Sequence, residues 1–197
     1  MSNFPRETAA WSAGILCQRL QDYCERIEIA GSIRRKRPRV NDIDIVAIPK
    51  MQGVEDPTPQ AGLFEVPRGS SESDRVGGRT LCAPRDTIFA RALCERLSPI
   101  RTLGDKIISG NLCMPGHEAF PVDVFLATPE TWATLLLIRT GSKEHNIQMC
   151  QQARSLGMKL HANGDGLTLA NGVTAIASSE EEIFAALKMT WKPPEAR

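Results

Sequence analysis

Three aspartates stand where ordinary packing would not put them. Asp42 and Asp44 flank Ile43 in Asn41-Asp42-Ile43-Asp44-Ile45-Val46, and Asp123 is the only charge in Pro121-Val122-Asp123-Val124-Phe125-Leu126. Both runs read as β-strands, in which alternate side chains share a face. Asp42 and Asp44 therefore project from one face, and Ile43 and Ile45 from the other. Adjacent carboxylates repel, so each favours a proton or a neutralising cation. The unbroken apolar run of residues 45–48 marks a buried central strand, where packing gives no reason for two acids. A hard divalent cation gives one, because magnesium prefers carboxylate oxygens. With the Asp123 strand as a neighbour, three carboxylates converge, enough to hold two ions about 4 Å apart for in-line phosphoryl transfer. The competing reading is a surface ion network with nearby arginines. The third acid and a glycine-serine turn upstream weigh against it.

That turn is Gly31-Ser32, ten positions before Asp42. Glycine lets the backbone approach a phosphate closely, and backbone amides and the Ser32 hydroxyl can donate to its oxygens. Arg35 could clamp the same group in bidentate fashion. It lies in a basic run, Arg34, Arg35, Lys36, Arg37 and Arg39, which taken alone would read as a solvated loop.

These residues need a sheet and helices to hold them. A helix is expected over residues 6–26, with Trp11, Ile15, Leu16, Leu20 and Tyr23 on its apolar face. Strands are expected at 27–30 and 42–48, the second ended by Pro49. Residues 50–85, rich in Gly, Pro and Ser, read as a long surface insertion with a possible short strand at 63–66. A helix follows over 88–97, then a hairpin of 106–113 and 119–127 around Met114-Pro115-Gly116. Pro129 opens a helix to about Arg139. Ser142 caps another that runs to Leu156 and stops at Gly157. A small β-element comprises residues 158–161 and 167–169, with turns at Asn163-Gly164 and Asn171-Gly172. Ser179 and Glu182 form a capping box for a last short helix. The expected division is 1–127 and 128–197.

The pattern Gly31-Ser32 followed by Asp42-x-Asp44 resembles the nucleotidyltransferase superfamily signature. Arg34-Arg35, the segment Thr140-Gly141-Ser142-Lys143-Glu144-His145-Asn146, residues 157–167 and the ending Trp191-Lys192-Pro193-Pro194-Glu195-Ala196-Arg197 are similar to one branch, the family X (polymerase beta-like) DNA polymerases. The resemblance covers roughly residues 28–50 and 86–197. It implies an α+β fold: a nucleotidyltransferase palm over 1–127, a mixed β-sheet with helices on one face, and a small α/β thumb over 128–197. It implies templated addition of dNMP from a dNTP to a primer 3′-hydroxyl, in short-gap DNA repair. Asp42, Asp44 and Asp123 match the catalytic aspartates that hold two magnesium ions, with manganese as a substitute. Gly31, Ser32, Arg35, Asn41, Gly141, Ser142 and Asn146 match nucleotide-binding positions: Ser32 and Arg35 at the triphosphate, Asn41 through its backbone amide, Gly141 at the sugar, and Asn146 at the base edge. Lys106, Arg139 and Lys143 are the implied DNA contacts.

Departures carry information too. Ile138-Arg139 replaces the Tyr-Phe pair that often precedes Thr-Gly-Ser and screens the sugar, which leaves the choice between dNTP and rNTP open. Pro121 stands where an arginine often precedes the third aspartate, and Cys150 where some members hold the template strand with arginine. Few residues precede the sheet, so neither a lyase domain nor helix-hairpin-helix fingers are expected. Two rival readings follow: a superfamily enzyme acting without template or on RNA, protein or a small molecule, and a catalytically silent nucleic-acid-binding scaffold.

Composition bounds the rest. With 42% hydrophobic and 24% charged residues, the chain is not of disordered type. No apolar run approaches the roughly 20 residues of a membrane helix, and Arg6 and Glu7 interrupt any secretory leader. A cytoplasmic protein from a bacterial or viral setting is expected, as a monomer, with a separate DNA-gripping partner to be considered. The net charge of +1 predicts weak, salt-sensitive DNA binding. The six cysteines include no C-x-x-C pair, and His117, His145 and His161 form no zinc motif, so reduced thiols and no zinc site are expected. His145 is expected at the surface, and Trp132 and Trp191 in the core.

Overall fold

A computed structural model describes residues 3–50, 87–116 and 118–197. The expected insertion, its candidate strand at 63–66, Cys82 and His117 lie outside the described residues. The chain runs β1 (Phe4–Pro5), α1 (Arg6–Leu20), β2 (Cys24–Ile29), α2 (Gly31–Arg34), β3 (Arg39–Val40), β4 (Ile43–Pro49), α3 (Ile88–Cys94), β5 (Leu97–Leu103), β6 (Ile107–Leu112) and β7 (Phe120–Leu126). It continues through α4 (Trp132–Thr140), α5 (Lys143–Ser155), β8 (Lys159–Leu160), β9 (Leu167–Thr168), β10 (Thr174–Ala175) and α6 (Glu180–Ala186).

Five strands form a mixed sheet in the order β2-β4-β7-β6-β5. Only β4 and β7 are parallel; the other neighbours are antiparallel. The alternation read from the sequence assigns the two faces. Ile43, Ile45 and Ala47 of β4, with Val122 and Val124 of β7, join one core beneath α1 and α3. Val46, Ile48 and Phe125 point the other way, into a second cluster with Trp132, Leu135 and Leu136 of α4. The buried central strand expected from the run at 45–48 is thus covered on both faces.

α4 is buried around its whole circumference. One side meets the sheet; the other, through Ala133, Leu137 and Ile138, enters a third cluster with Met149 and Ala153 of α5, Leu160, Leu167 and Ile183, Phe184 and Leu187 around α6. α5 begins as its capping residue predicts: the Ser142 hydroxyl accepts from the His145 amide at 3.2 Å. It ends in a Schellman turn, with Gly157 at φ +70° and the Met158 amide bonded to the Ala153 carbonyl at 2.8 Å. At Ser179 half of the capping box forms, the hydroxyl accepting from the Glu182 amide at 3.4 Å, while the Glu182 carboxylate accepts from the Ser178 amide instead, at 2.7 Å.

Several expectations need correction. The first helix stops at Leu20, and a single 3-10 turn leads into a strand that begins at Cys24. Its buried face consists of the small residues Ala9, Ser12 and Ala13 with Leu16 and Leu20, whereas Trp11 is 56% exposed. Small side chains let α1 lie close to the sheet, and aromatic size misled the reading of the stripe. The helix from Ile88 ends at Cys94, and Leu97 opens an edge strand not foreseen because Pro99 interrupts it. α4 starts at Trp132, three residues after Pro129. β10 adds an unexpected third strand to the small sheet. His145 is buried, while Trp191 is exposed. The five described cysteines are free thiols. Among the described residues no helix is long and apolar enough to cross a membrane.

Glu180, at the start of α6, is buried between Arg34 and Arg197. Burial alone would raise its pKa, but the hydrogen bonds and charges of Arg197 and Arg34 together outweigh it and hold the carboxyl below the usual range. A carboxylate depressed in the folded state contributes its stability in full above its unfolded pKa, roughly 4.3, and loses it as pH falls through the folded value. The thermal midpoint of wild type should therefore exceed that of Glu180→Gln by most above the unfolded carboxyl pKa, with the gap closing as pH falls through the depressed folded value. A gap that stays constant or widens on acidification contradicts this assignment.

Candidate active site

The sheet register brings the acids together. β4 and β7 pair in parallel with Asp44 directly opposite Asp123. Both point to the face that carries Val46 and Phe125, beyond the part that α4 covers. Asp42, just before β4, is half-buried on the same side. Burial raises the pKa of Asp44 to about 7, and repulsion from Asp42 and Asp123 adds to it against the attraction of Arg139 and Arg35. Asp42 is also raised, first by burial and then by Asp123, with Arg101 and Arg35 opposing. Burial is thus the main reason these carboxylates resist ionisation, with their mutual repulsion second.

The carboxylates are gathered but not closed on a point. Among the described residues, no three His, Cys, Asp or Glu side chains are placed to hold a metal ion together. Asp123 is instead held by Arg101, whose Nη2 lies 3.0 Å from its Oδ1. Arg101 belongs to edge strand β5. Between β5 and β7 lies β6, where Ser109 faces both Asp123 and Thr102, and so small a side chain leaves the guanidinium a path. Sequence reasoning noted the missing arginine at Pro121 and did not find this one; the only signal was an arginine in a strand that propensity does not reveal.

Gly31 stands at φ +59° and opens α2. A Cβ there would collide with the Asp44 carboxylate, so glycine leaves the carboxylate its room. The Ser32 hydroxyl is buried without a hydrogen-bond partner. Arg35 turns toward the C-terminal part and donates to the carbonyls of Thr140 and Gly141. Burial and the neighbouring Arg37 pull its pKa down, against attraction from Asp44, Glu144 and Asp42.

A cleft of about 640 Å³ opens beside these residues, lined among others by Arg35, Arg139, Gly141, Ser142, Lys143 and Asn146. Gly141 and Asn146 touch: a Cβ on Gly141 would lie 2.5 Å from Asn146 Nδ2. Asn146 donates to the Ile138 carbonyl at 2.8 Å, while its Oδ1 is buried without a partner. Asn41 is exposed at the entry to β4. Arg139 lies 4.0 Å over the Phe125 ring, and its attraction to Asp44 and Asp123 is outweighed by burial, which lowers its pKa. Lys143 is exposed, and Lys106 pairs with Asp165 at 2.9 Å. The structure thus brings Arg35, Arg139, Gly141, Ser142, Lys143 and Asn146 to one cleft and leaves Lys106 apart from it.

Comparison with known proteins identifies the fold. The family described as DNA polymerase beta thumb matches residues 135–197. Among solved structures, the crystal structure of Leishmania infantum polymerase beta in a ternary P/T complex superposes with a TM-score of 0.71 at 20% identity, over 100% of this chain and 77% of that one. A search of curated proteins gives no match. The chain has the α+β fold of polymerase beta, with that polymerase's type of thumb in its last third. It is similar to polymerase beta in fold over its whole length, and to the thumb family of that polymerase over residues 135–197.

The contact between Gly31 and Asp44 gives a direct test. Gly31→Ala should lower stability by about 2–4 kcal/mol, combining left-handed backbone strain with displacement of the carboxylate. Urea unfolding measures it, and a loss below about 1 kcal/mol would mean that Asp44 moves aside freely.

Proposed function

We propose that the protein is a DNA-directed nucleotidyltransferase that adds dNMP from a dNTP to a primer 3′-hydroxyl, with short-gap filling as its setting. The observation that carries this reading is the pairing of Asp44 with Asp123, Asp42 beside them, with Arg35 and Arg139 of the neighbouring cleft attracting Asp44 and with Ser32 Oγ and Asn146 Oδ1 buried without partners. Residues 1–127 act as the palm and 128–197 as the thumb.

The donor set suits magnesium. Three carboxylates on one face offer hard oxygen ligands, and a cation would offset both the burial and the mutual repulsion that raise Asp44. Asp42, Asp44 and Asp123 would hold the ions, with manganese as a substitute. When bound, two such ions lower the pKa of an attacking hydroxyl and neutralise charge on the triphosphate and leaving pyrophosphate.

The chain's own groups do the rest. Ser32 and the amides around Gly31 bind phosphate oxygens, and Arg35 adds positive charge without a proton to lose. Gly141 leaves room for the sugar, and the Asn146 amide, already fixed by its bond to Ile138, orients the base edge. Asn41 contributes its backbone amide near the first carboxylate. Arg101 orients Asp123 beside the primer terminus. Lys143 and Arg139 face DNA phosphate at the cleft, and Lys106 does so once released from Asp165.

One observation favours a broader substrate range. The turn before Gly141 carries Ile138 and Arg139, and Arg139 is stacked on Phe125, so no aromatic pair screens the sugar. Ribonucleotides should be accepted as well as deoxyribonucleotides.

Primer extension on gapped duplex with magnesium or manganese tests the proposal. Wild type should incorporate templated nucleotides, and Asp44→Ala or Asp123→Ala should reduce incorporation by at least about a thousandfold while the circular dichroism spectrum stays native. Wild-type rates in either variant, or no product from wild type with all four dNTPs, would refute it. Addition to single-stranded primer alone would favour an untemplated transferase.

A further inference from the structure

The basic run after Gly31-Ser32 does not act as one patch. Two of its arginines turn inward and meet the same residue. Arg34 donates from Nη1 to the Thr140 hydroxyl at 2.8 Å, and from Nη1 and Nη2 to Glu180 at 2.7 and 3.1 Å. Arg35 donates to the main-chain carbonyls of Thr140 and, at 2.8 Å, Gly141.

Glu180 serves a second arginine as well. Arg197 donates from both terminal nitrogens to its two oxygens, at 3.0 and 3.1 Å. The Arg197 side chain is fully buried, lies 5.4 Å from the centre of the Phe184 ring, and donates from Nε to the Lys192 carbonyl at 2.9 Å. One carboxylate therefore sits between two guanidinium forks, with each of its oxygens shared by both. Burying three charges is costly unless every hydrogen bond is made. Merely tying the loop to the tail would not require it, because the exposed pair Lys36–Glu195 already joins the same two segments. The buried chain of contacts ends at Thr140 and Gly141, where the cleft opens.

We propose that Arg34, Glu180 and Arg197 form a positioning triad that sets the Thr140-Gly141 turn against Arg35 and so fixes the cleft for the sugar and triphosphate of a nucleoside triphosphate. The proposal rests on reading the cleft as a nucleotide site. The triad touches no substrate. It acts through the Thr140 hydroxyl, which places the carbonyls that Arg35 holds. Arg34 thereby has no phosphate role, although its neighbour does. The charge of Glu180 matters because glutamine keeps the shape but turns an amide N–H₂ toward a guanidinium, leaving donor against donor.

Two variants separate positioning from general stability. Glu180→Gln breaks the centre of the triad. Thr140→Val keeps the triad and the size of residue 140 but removes the link to it. Lys36→Ala, which loses only the exposed pair, is the control. Each protein is measured for equilibrium binding of a fluorescent mant-dATP with magnesium, for KM and kcat on gapped DNA, and for thermal midpoint. Glu180→Gln and Thr140→Val should each weaken mant-dATP binding and raise the dNTP KM by about tenfold, with kcat within about twofold of wild type. Lys36→Ala should match wild type throughout. Unchanged binding and KM in both variants, whatever the thermal midpoint, would reduce the triad to a structural clasp and overturn the proposal. If wild type extends no primer but mant-dATP binding falls in both variants, the positioning role stands and the polymerase reading fails. If wild type binds no mant-dATP, both fall.

Discussion

The parallel register of two strands governs this molecule's chemistry. With Asp44 opposite Asp123, two carboxylates are fixed on one sheet face at strand-to-strand spacing, and Asp42 brings a third from just outside β4. Mutual repulsion and burial make the cluster unfavourable as it stands. It persists because the strands that carry it are locked by apolar side chains on both faces. A strand slipped by one residue would turn the acids into the core and the isoleucines outward. The hydrophobic pattern that folds the sheet is thus the same pattern that holds the acids in place.

α4 links this cluster to the cleft. Its apolar residues face the sheet on one side and the C-terminal core on the other, and its last turn delivers Arg139, Thr140 and Gly141 to the site. Because α4 is anchored in both cores, the position of Gly141 relative to Asp44 depends on packing in each. The arginines then distribute countercharge: Arg101 on Asp123, Arg139 on the ring of Phe125 near Asp44, and Arg35 on the carbonyls at the cleft wall. Each comes from a different element, so the site is assembled only by the complete fold.

Much of this was legible in the sequence where local chemistry decides it. Alternation in 42–48 and 121–126 gave the strands and the shared face of the acids, and Ser142, Gly157 and Ser179 marked helix ends that the structure reproduces. What stayed hidden depends on long-range contact. β5 carries little strand propensity and exists because β6 offers it an edge, so Arg101 could not be placed beside Asp123. Most of the buried stripe of α1 consists of the small residues Ala9, Ser12 and Ala13, which periodicity undervalues, and Trp11 therefore read as the better candidate. Arg34 and Arg35 are adjacent and chemically alike, and only the fold sends one to Glu180 and the other to Gly141. His145 follows a capping serine and reads as surface, yet it is buried against Phe184 and burial pulls its pKa down to about 4.

The proposed reaction requires that these three acids form a cation site. Titration of the protein with Mn2+, followed by electron paramagnetic resonance in the presence of a non-hydrolysable dNTP analogue, tests it most directly. Wild type should bind manganese, and both Asp44→Asn and Asp123→Asn should lose it. Equal manganese binding by wild type and the two variants, or none by wild type, would contradict it.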